Sequence, residues 1–115
     1  MNDDVKRRDF TINSLYLDSK GNLTDFLNGE NDLIKRKLVF IGNPVERIEE
    51  DYLRIIRFCR FSGNFDNKMP KNLKKEITLR VPKIIYLSNK RIRDEIDKIL
   101  SNKNCYKCFL MMNKL

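Results

Sequence analysis

Glu50-Asp51-Tyr52-Leu53-Arg54-Ile55-Ile56-Arg57-Phe58-Cys59-Arg60-Phe61 sets the reading of this 115-residue chain. At 3.6 residues per turn, Glu50, Arg54 and Arg57 share one helix face, and Asp51 lies three residues before Arg54. Tyr52, Ile55, Ile56 and Cys59 repeat at core-facing spacing on the other side. The spacing predicts one amphipathic helix from about Arg47 to Ser62. Its polar face carries Arg54, Arg57 and Arg60 where a solvated face more often carries lysine, and the planar guanidinium suits bidentate recognition. Asp51 offers only acceptors and Arg54 only donors, so together they match the mixed edge of a nucleobase. A ladder of ion pairs that merely holds the helix explains the same residues and stays open.

Upstream, Arg7-Arg8-Asp9-Phe10-Thr11-Ile12-Asn13-Ser14-Leu15 places two guanidinium groups, a carboxylate and an amide ahead of an apolar segment. Arg7 and Arg8 suit phosphate oxygens, and Asp9 can accept from ribose hydroxyls or cap a helix. A solvated helix start is the plainer reading of the same run. Residues 9–17 read as a short helix or a helix–strand transition. Leu15 to Leu17 and Leu23 to Leu27 flank the turn residues Asp18-Ser19-Lys20-Gly21-Asn22, a hairpin signal. A short helix from Asn31 to Lys37 and an apolar strand, Leu38 to Ile41, follow. Gly42-Asn43-Pro44 closes the strand-bearing part.

The remainder reads as helical. Pro70 to Arg80 has helical spacing, Pro82 marks a boundary, and Ile84 to Leu87 form a short apolar piece. Ser88 is placed to cap a helix from Lys90 to Leu100 whose buried stripe is Ile92, Ile96, Ile99 and Leu100. Ile55, Ile56 and Cys59 are expected to pack on Ile92, Ile96 and Ile99, leaving Asp51 and Arg54 open to a cleft. The tail from Cys105 to Leu115 is amphipathic. Strands followed by helices give an α+β class.

Lysine and arginine total 24 against 16 acidic residues, a net charge of +8, and the pI is near 9.5. That balance favours a polyanionic partner, although lysine-rich composition alone is weak grounds for one. Cys59 sits on the apolar stripe. Cys105-Tyr106-Lys107-Cys108 has C-x-x-C spacing, but the chain has no histidine and no second pair to complete a zinc site. No apolar run approaches a membrane span and no secretory signal pattern starts the sequence, so the cytoplasm is the expected compartment.

Taken in order, these motifs resemble the bacterial-type tRNA nucleotidyltransferases, the CCA-adding enzymes and their poly(A) polymerase relatives. Residues 7–15 match that family's RRDFTINAL run except for Ser14. Asp25-Phe26-Leu27-Asn28-Gly29-Glu30-Asn31-Asp32-Leu33 resembles the flexible element that follows it. Ile41-Gly42-Asn43-Pro44 and Arg47 resemble the approach to Glu50-Asp51-x-x-Arg54-x-x-Arg57. Ser88-Asn89-Lys90-Arg91-Ile92-x-x-Glu95-Ile96 resembles a later S-x-E-R-I-x-x-E-L helix. Tyr52 stands where the family commonly has proline, and Lys90 where it has glutamate. The resemblance covers roughly residues 4–100.

The resemblance implies a nucleotidyltransferase head remnant with strands over 1–43 and an all-α, RNA-binding and nucleotide-selecting neck over 44–115. It implies that Arg8 contacts triphosphate or sugar, that Asp9 reads the ribose 2′-hydroxyl, and that Asp51 and Arg54 template cytosine or adenine. Arg57 and Arg60 would approach the phosphates. Arg91 and Glu95 would brace the Glu50-bearing helix, and the loop from Asp18 to Asp32 would flex as specificity switches. The family's glycine-rich loop and D-x-D pair, which bind two Mg²⁺ ions, have no counterpart here. Asp3 and Asp4 are adjacent and would point to opposite faces of a strand. The expected partners are the tRNA 3′ end, CTP and ATP, with a separately encoded N-terminal piece supplying the metal carboxylates. A degraded, inactive gene product and a small basic helical RNA-binding module are the competing readings.

Overall fold

The computed structural model describes residues 8–17, 19–25, 29–34, 38–63 and 70–115. A 3-10 turn, Thr11–Ser14, leads into a hairpin of strand β1 (Leu15–Leu17) and strand β2 (Leu23–Asp25), paired antiparallel with Tyr16 opposite Thr24. Gly21, at φ +85° in the turn, adopts the left-handed backbone that hairpin turns require. Helix α1 (Gly29–Ile34) follows, and the Thr11 hydroxyl donates to its Asp32 carboxylate at 2.6 Å. Helices α2 (Pro44–Glu50), α3 (Leu53–Ser62), α4 (Lys71–Arg80), α5 (Asn89–Leu100) and α6 (Cys105–Asn113) make up the rest, with a 3-10 segment, Val81–Tyr86, between α4 and α5.

The α+β class is therefore corrected to all-α. Among the described residues, three-residue strands in a single hairpin form no layer on which helices could pack. The strand expected over Leu38 to Ile41 is reduced to a bridge between Phe10 and Phe40. Two backbone bonds flank it, Thr11 N–H to the Val39 carbonyl and Ile41 N–H to the Asp9 carbonyl, both 2.9 Å. Expectations for Asp3, Asp4, Arg7, Asp18 and residues 35–37 lie outside the described residues.

The single helix expected from Arg47 to Ser62 is two. Asn43 caps α2 by accepting from Glu46 N–H at 3.2 Å, and Pro44 fits the first turn because its missing N–H is not needed there. Asp51 then goes extended, φ −158° and ψ 105°, and its Oδ1 accepts from Leu53 N–H at 3.1 Å. The carboxylate thus satisfies a donor that a new helix would leave unpaired. Ser88 caps α5 as expected, accepting from Arg91 N–H at 3.2 Å.

Helix α3 is the central element, buried on two sides. Ile55 and Phe58 join Phe10, Leu38, Phe40, Ile48 and Ile77 in one cluster. Leu53 and Ile56 join Ile99 and Cys108 in a second, bordered by Ile92 and Ile96. Ile56 therefore packs as expected, whereas Ile55, about 100° further round the helix, serves the other cluster. Leu100, expected in the α5 stripe, is 60% exposed, and Glu95 is buried at 3%. Cys108 behaves as a small core residue, its thiol donating to the Arg60 carbonyl at 3.3 Å.

The approach of α6 to α3 explains Gly63. A methyl group there would collide with the Cys108 sulfur and press on the Asn104 carbonyl at 3.3 Å. Gly63→Ala is predicted to destabilise by about 1–3 kcal/mol, and Cys108→Ala in the same chain should recover part of that loss. Urea midpoints of the two single variants and the double variant check this, and simple additivity would refute it. Ile56→Ala should cost about 2–5 kcal/mol in the same measurement.

Candidate nucleotide-binding site

An open cavity of about 470 Å³ lies where the N-terminal segment, the α2–α3 junction and α5 meet. The N-terminal segment contributes Arg8, Asp9 and Asn13. The junction and α3 contribute Asp51, Leu53, Arg54, Arg57 and Phe61, and α5 contributes Arg91. Four arginines against two aspartates leave two positive charges in excess, which suits an anionic ligand.

Asp9 is buried and heavily engaged. Its Oδ1 accepts from Phe10 N–H and from Asn13 Nδ2, both at 2.9 Å, and its Oδ2 pairs with Arg57 Nε. Burial pushes the Asp9 carboxyl up, but the bonds from Arg57 and Asn13 and the Arg57 charge outweigh it and hold the group below the usual carboxylate range. Arg57 also donates to Glu95 Oε1 at 3.1 Å. Its guanidinium is held above its ordinary value because these carboxylates overcome the opposing effect of burial. A carboxylate offers about four acceptor positions. Three of those on Asp9 are filled by described residues, leaving room for one further donor.

Asp51 faces α5. Arg91 Nη2 donates to its Oδ2 at 2.6 Å, while Oδ1 holds Leu53 N–H. Burial raises the Asp51 carboxyl, and Arg91, the Leu53 amide and the Arg54 charge lower it by more. Arg54 Nη1 donates to the Arg47 carbonyl at 2.6 Å and to Glu50 Oε2 at 3.0 Å. The structure thus brings Arg8, Asp9, Asp51, Arg54, Arg57 and Arg91 to one cavity. Glu50, Arg60 and Glu95 are not among the residues lining it. Arg60 pairs with Glu95 Oε2 at 2.8 Å and lies 4.4 Å from the Phe61 ring centroid.

Three lining residues, Asn13, Leu53 and Phe61, were not singled out from sequence. Asn13 belongs to the RRDFTIN run, and its amide orients Asp9. Phe61 follows Arg57 at i+4, and its ring lies 5.5 Å from the Arg57 guanidinium carbon. Among the described residues no three carboxylate, cysteine or histidine side chains converge. Both lining aspartates face arginines. These residues do not fit a two-Mg²⁺ centre.

Sequence and structure comparisons show what the chain is similar to. Residues 1–39 match the family model "Poly A polymerase head domain", and residues 68–115 match "Probable RNA and SrmB- binding site of polymerase A". The CCA-adding enzyme of Bacillus licheniformis is 36% identical over 103 residues, 90% of this chain and 26% of that protein. The Bacillus stearothermophilus CCA-adding enzyme in complex with CTP superposes with a TM-score of 0.78 at 28% identity, over 91% of this chain and 27% of the other. The Thermotoga maritima enzyme complexed with tRNA(CCA) gives 0.77 at 29% identity, over 97% of this chain and 28% of the other. The chain spans about a quarter of the length of these relatives. With both family models matched in order and the fold shared, the chain belongs to the CCA-adding enzyme and poly(A) polymerase family.

Proposed function

We propose that the cavity takes CTP or ATP and that the chain selects these nucleotides for addition to the 3′ end of tRNA in the cytoplasm. One observation carries the reading: Asp51 and Arg54, an acceptor and a donor, line the same positively charged cavity as Arg8 and Asp9. Cytosine N3 and N4, or adenine N1 and N6, require one donor and one acceptor from the protein. Asp51 keeps acceptor positions beyond those filled by Arg91 and Leu53. Arg8 and Arg57 face the phosphates, and the remaining acceptor position of Asp9 reads the ribose 2′-hydroxyl. Arg91 and Glu95 brace Asp51 and Arg57 from α5, and Glu50 braces Arg54. Residues 1–43 supply the sugar and phosphate contacts, and 44–115 supply base choice and RNA contact.

In this class of reaction, metal ions stabilise the attacking and leaving oxygens of the transferred phosphoryl group. The carboxylates for such a centre come from outside these 115 residues. The chain alone binds and orients the nucleotide and is inactive. Mg²⁺-dependent labelling of tRNA by the purified 115-residue chain would overturn that statement.

Base and sugar reading are predicted to separate. In an active context, a complemented or full-length enzyme, Asp51→Ala should relax the preference for CTP and ATP over UTP and GTP. Asp9→Ala should weaken discrimination against dCTP while base choice persists. Incorporation of the four ribonucleotides and dCTP by each variant checks both. Unchanged selectivity with a lowered melting temperature would reduce these residues to scaffold. Failure of the 115-residue chain to bind CTP or ATP while binding RNA would favour a plain RNA-binding module.

A further inference from the structure

Arg47 is not among the cavity-lining residues, yet it touches two of the pieces that build the cavity, the N-terminal segment and the α2–α3 junction. Its Nη2 donates to the Arg8 carbonyl at 2.7 Å, and its Nη1 donates to Glu50 Oε2 at 2.7 Å. Its own carbonyl accepts from Arg54 Nη1 at 2.6 Å, and the same Arg54 nitrogen reaches Glu50 Oε2 at 3.0 Å. The Arg47 side chain is only 12% exposed, and its Nε is buried with no hydrogen-bond partner among the described residues. Burying an unmade donor is unfavourable. What the position gains is a rigid fork whose two arms diverge, one to the main chain of the N-terminal segment and one to the carboxylate that orients Arg54. The pair Arg47 and Arg8 is separated by 39 positions in sequence, so the bond sets tertiary geometry rather than local helix structure.

We infer that Arg47 is a positioning residue that fixes Arg8 against the start of α3, so that Arg8 and Arg54 meet one ligand together. The inference rests on the nucleotide reading given above. Lysine at this position keeps the charge but lacks the planar fork, which separates a geometric role from an electrostatic one.

The test is calorimetric CTP binding by the 115-residue chain carrying Arg47→Met or Arg47→Lys, each in the unaltered and the Arg8→Ala backgrounds. Both variants should weaken CTP about tenfold in the unaltered background, and by less than about twofold once Arg8 is already alanine, because coupled residues are non-additive. Equal losses in the two backgrounds, or full rescue by lysine, would overturn the inference. Amide hydrogen exchange gives a readout independent of nucleotide. In Arg47→Met the Thr11 and Ile41 amides, which flank the Phe10–Phe40 bridge, should exchange about tenfold faster while Ile99 in α5 is unchanged. If the unaltered chain binds no CTP, the nucleotide reading falls and exchange alone decides: unchanged Thr11 and Ile41 rates refute the positioning role, and faster ones sustain it.

Discussion

Arg57 stands between two sealed carboxylates, and the arrangement of the molecule depends on that placement. Asp9, in the N-terminal segment, and Glu95, in the middle of α5, both direct oxygens at its guanidinium. Arg60 and Lys98 add charge around Glu95. Removing one partner from a buried ion pair typically costs about 3–5 kcal/mol, because a desolvated charge is left uncompensated. The cost is smaller here, since a quarter of the Arg57 side chain meets solvent. The consequence is geometric: three segments distant in sequence are pinned at one atom group, and the cavity opens beside it. The same bonds keep Asp9 ionised, so it accepts hydrogen bonds rather than donating one.

Much of this was legible in the residues. The Ser88 cap, the hairpin about Gly21 and α4 between Pro70 and Arg80 follow from local chemistry that tertiary packing had no reason to override. The break at Asp51 was not read from periodicity, because Glu50 and Arg54 still pair across it at 3.0 Å and leave an i,i+4 signature intact. The signal was present in the resemblance: a family proline at position 52 marks a helix start, and Tyr52 hides it. Glu95 was placed in a supporting role, but its burial needed tertiary information, since Arg57 and Arg60 on another helix make a sealed carboxylate tolerable.

The cavity shows the same division. The six lining residues that sequence identified carry charges in recognisable motifs. Asn13, Leu53 and Phe61 were missed because an amide, an aliphatic and an aromatic at those spacings read equally well as helix surface or core. Phe61 is both, packing edge-on to Phe10 at 5.3 Å while lying under two guanidinium groups. The strand expected at Leu38 to Ile41 failed for a related reason. An apolar run of that length is also what a segment needs to drop Phe40 into an aromatic stack, and Phe40 lies parallel to Phe58 at 5.6 Å.

That aromatic stack has a kinetic consequence. Phe10, Leu38 and Phe40 contribute their side chains to a core whose remaining buried members, Ile48, Ile55, Phe58 and Ile77, lie on α2, α3 and α4. The ion pair beside it joins residues 48 positions apart. Contacts of such span are entropically costly until the chain between them is ordered, and they slow folding relative to local helical contacts. Contacts between α3 and α6 span as far, 48 positions from Arg60 to Cys108, so both clusters on α3 close late relative to its own helical turns. Ribosomal synthesis delivers the N-terminal strip before the helices it packs on. The strip with its exposed phenylalanines therefore emerges first and waits for its partner surface, the interval in which a chaperone or a misfolded contact competes for it.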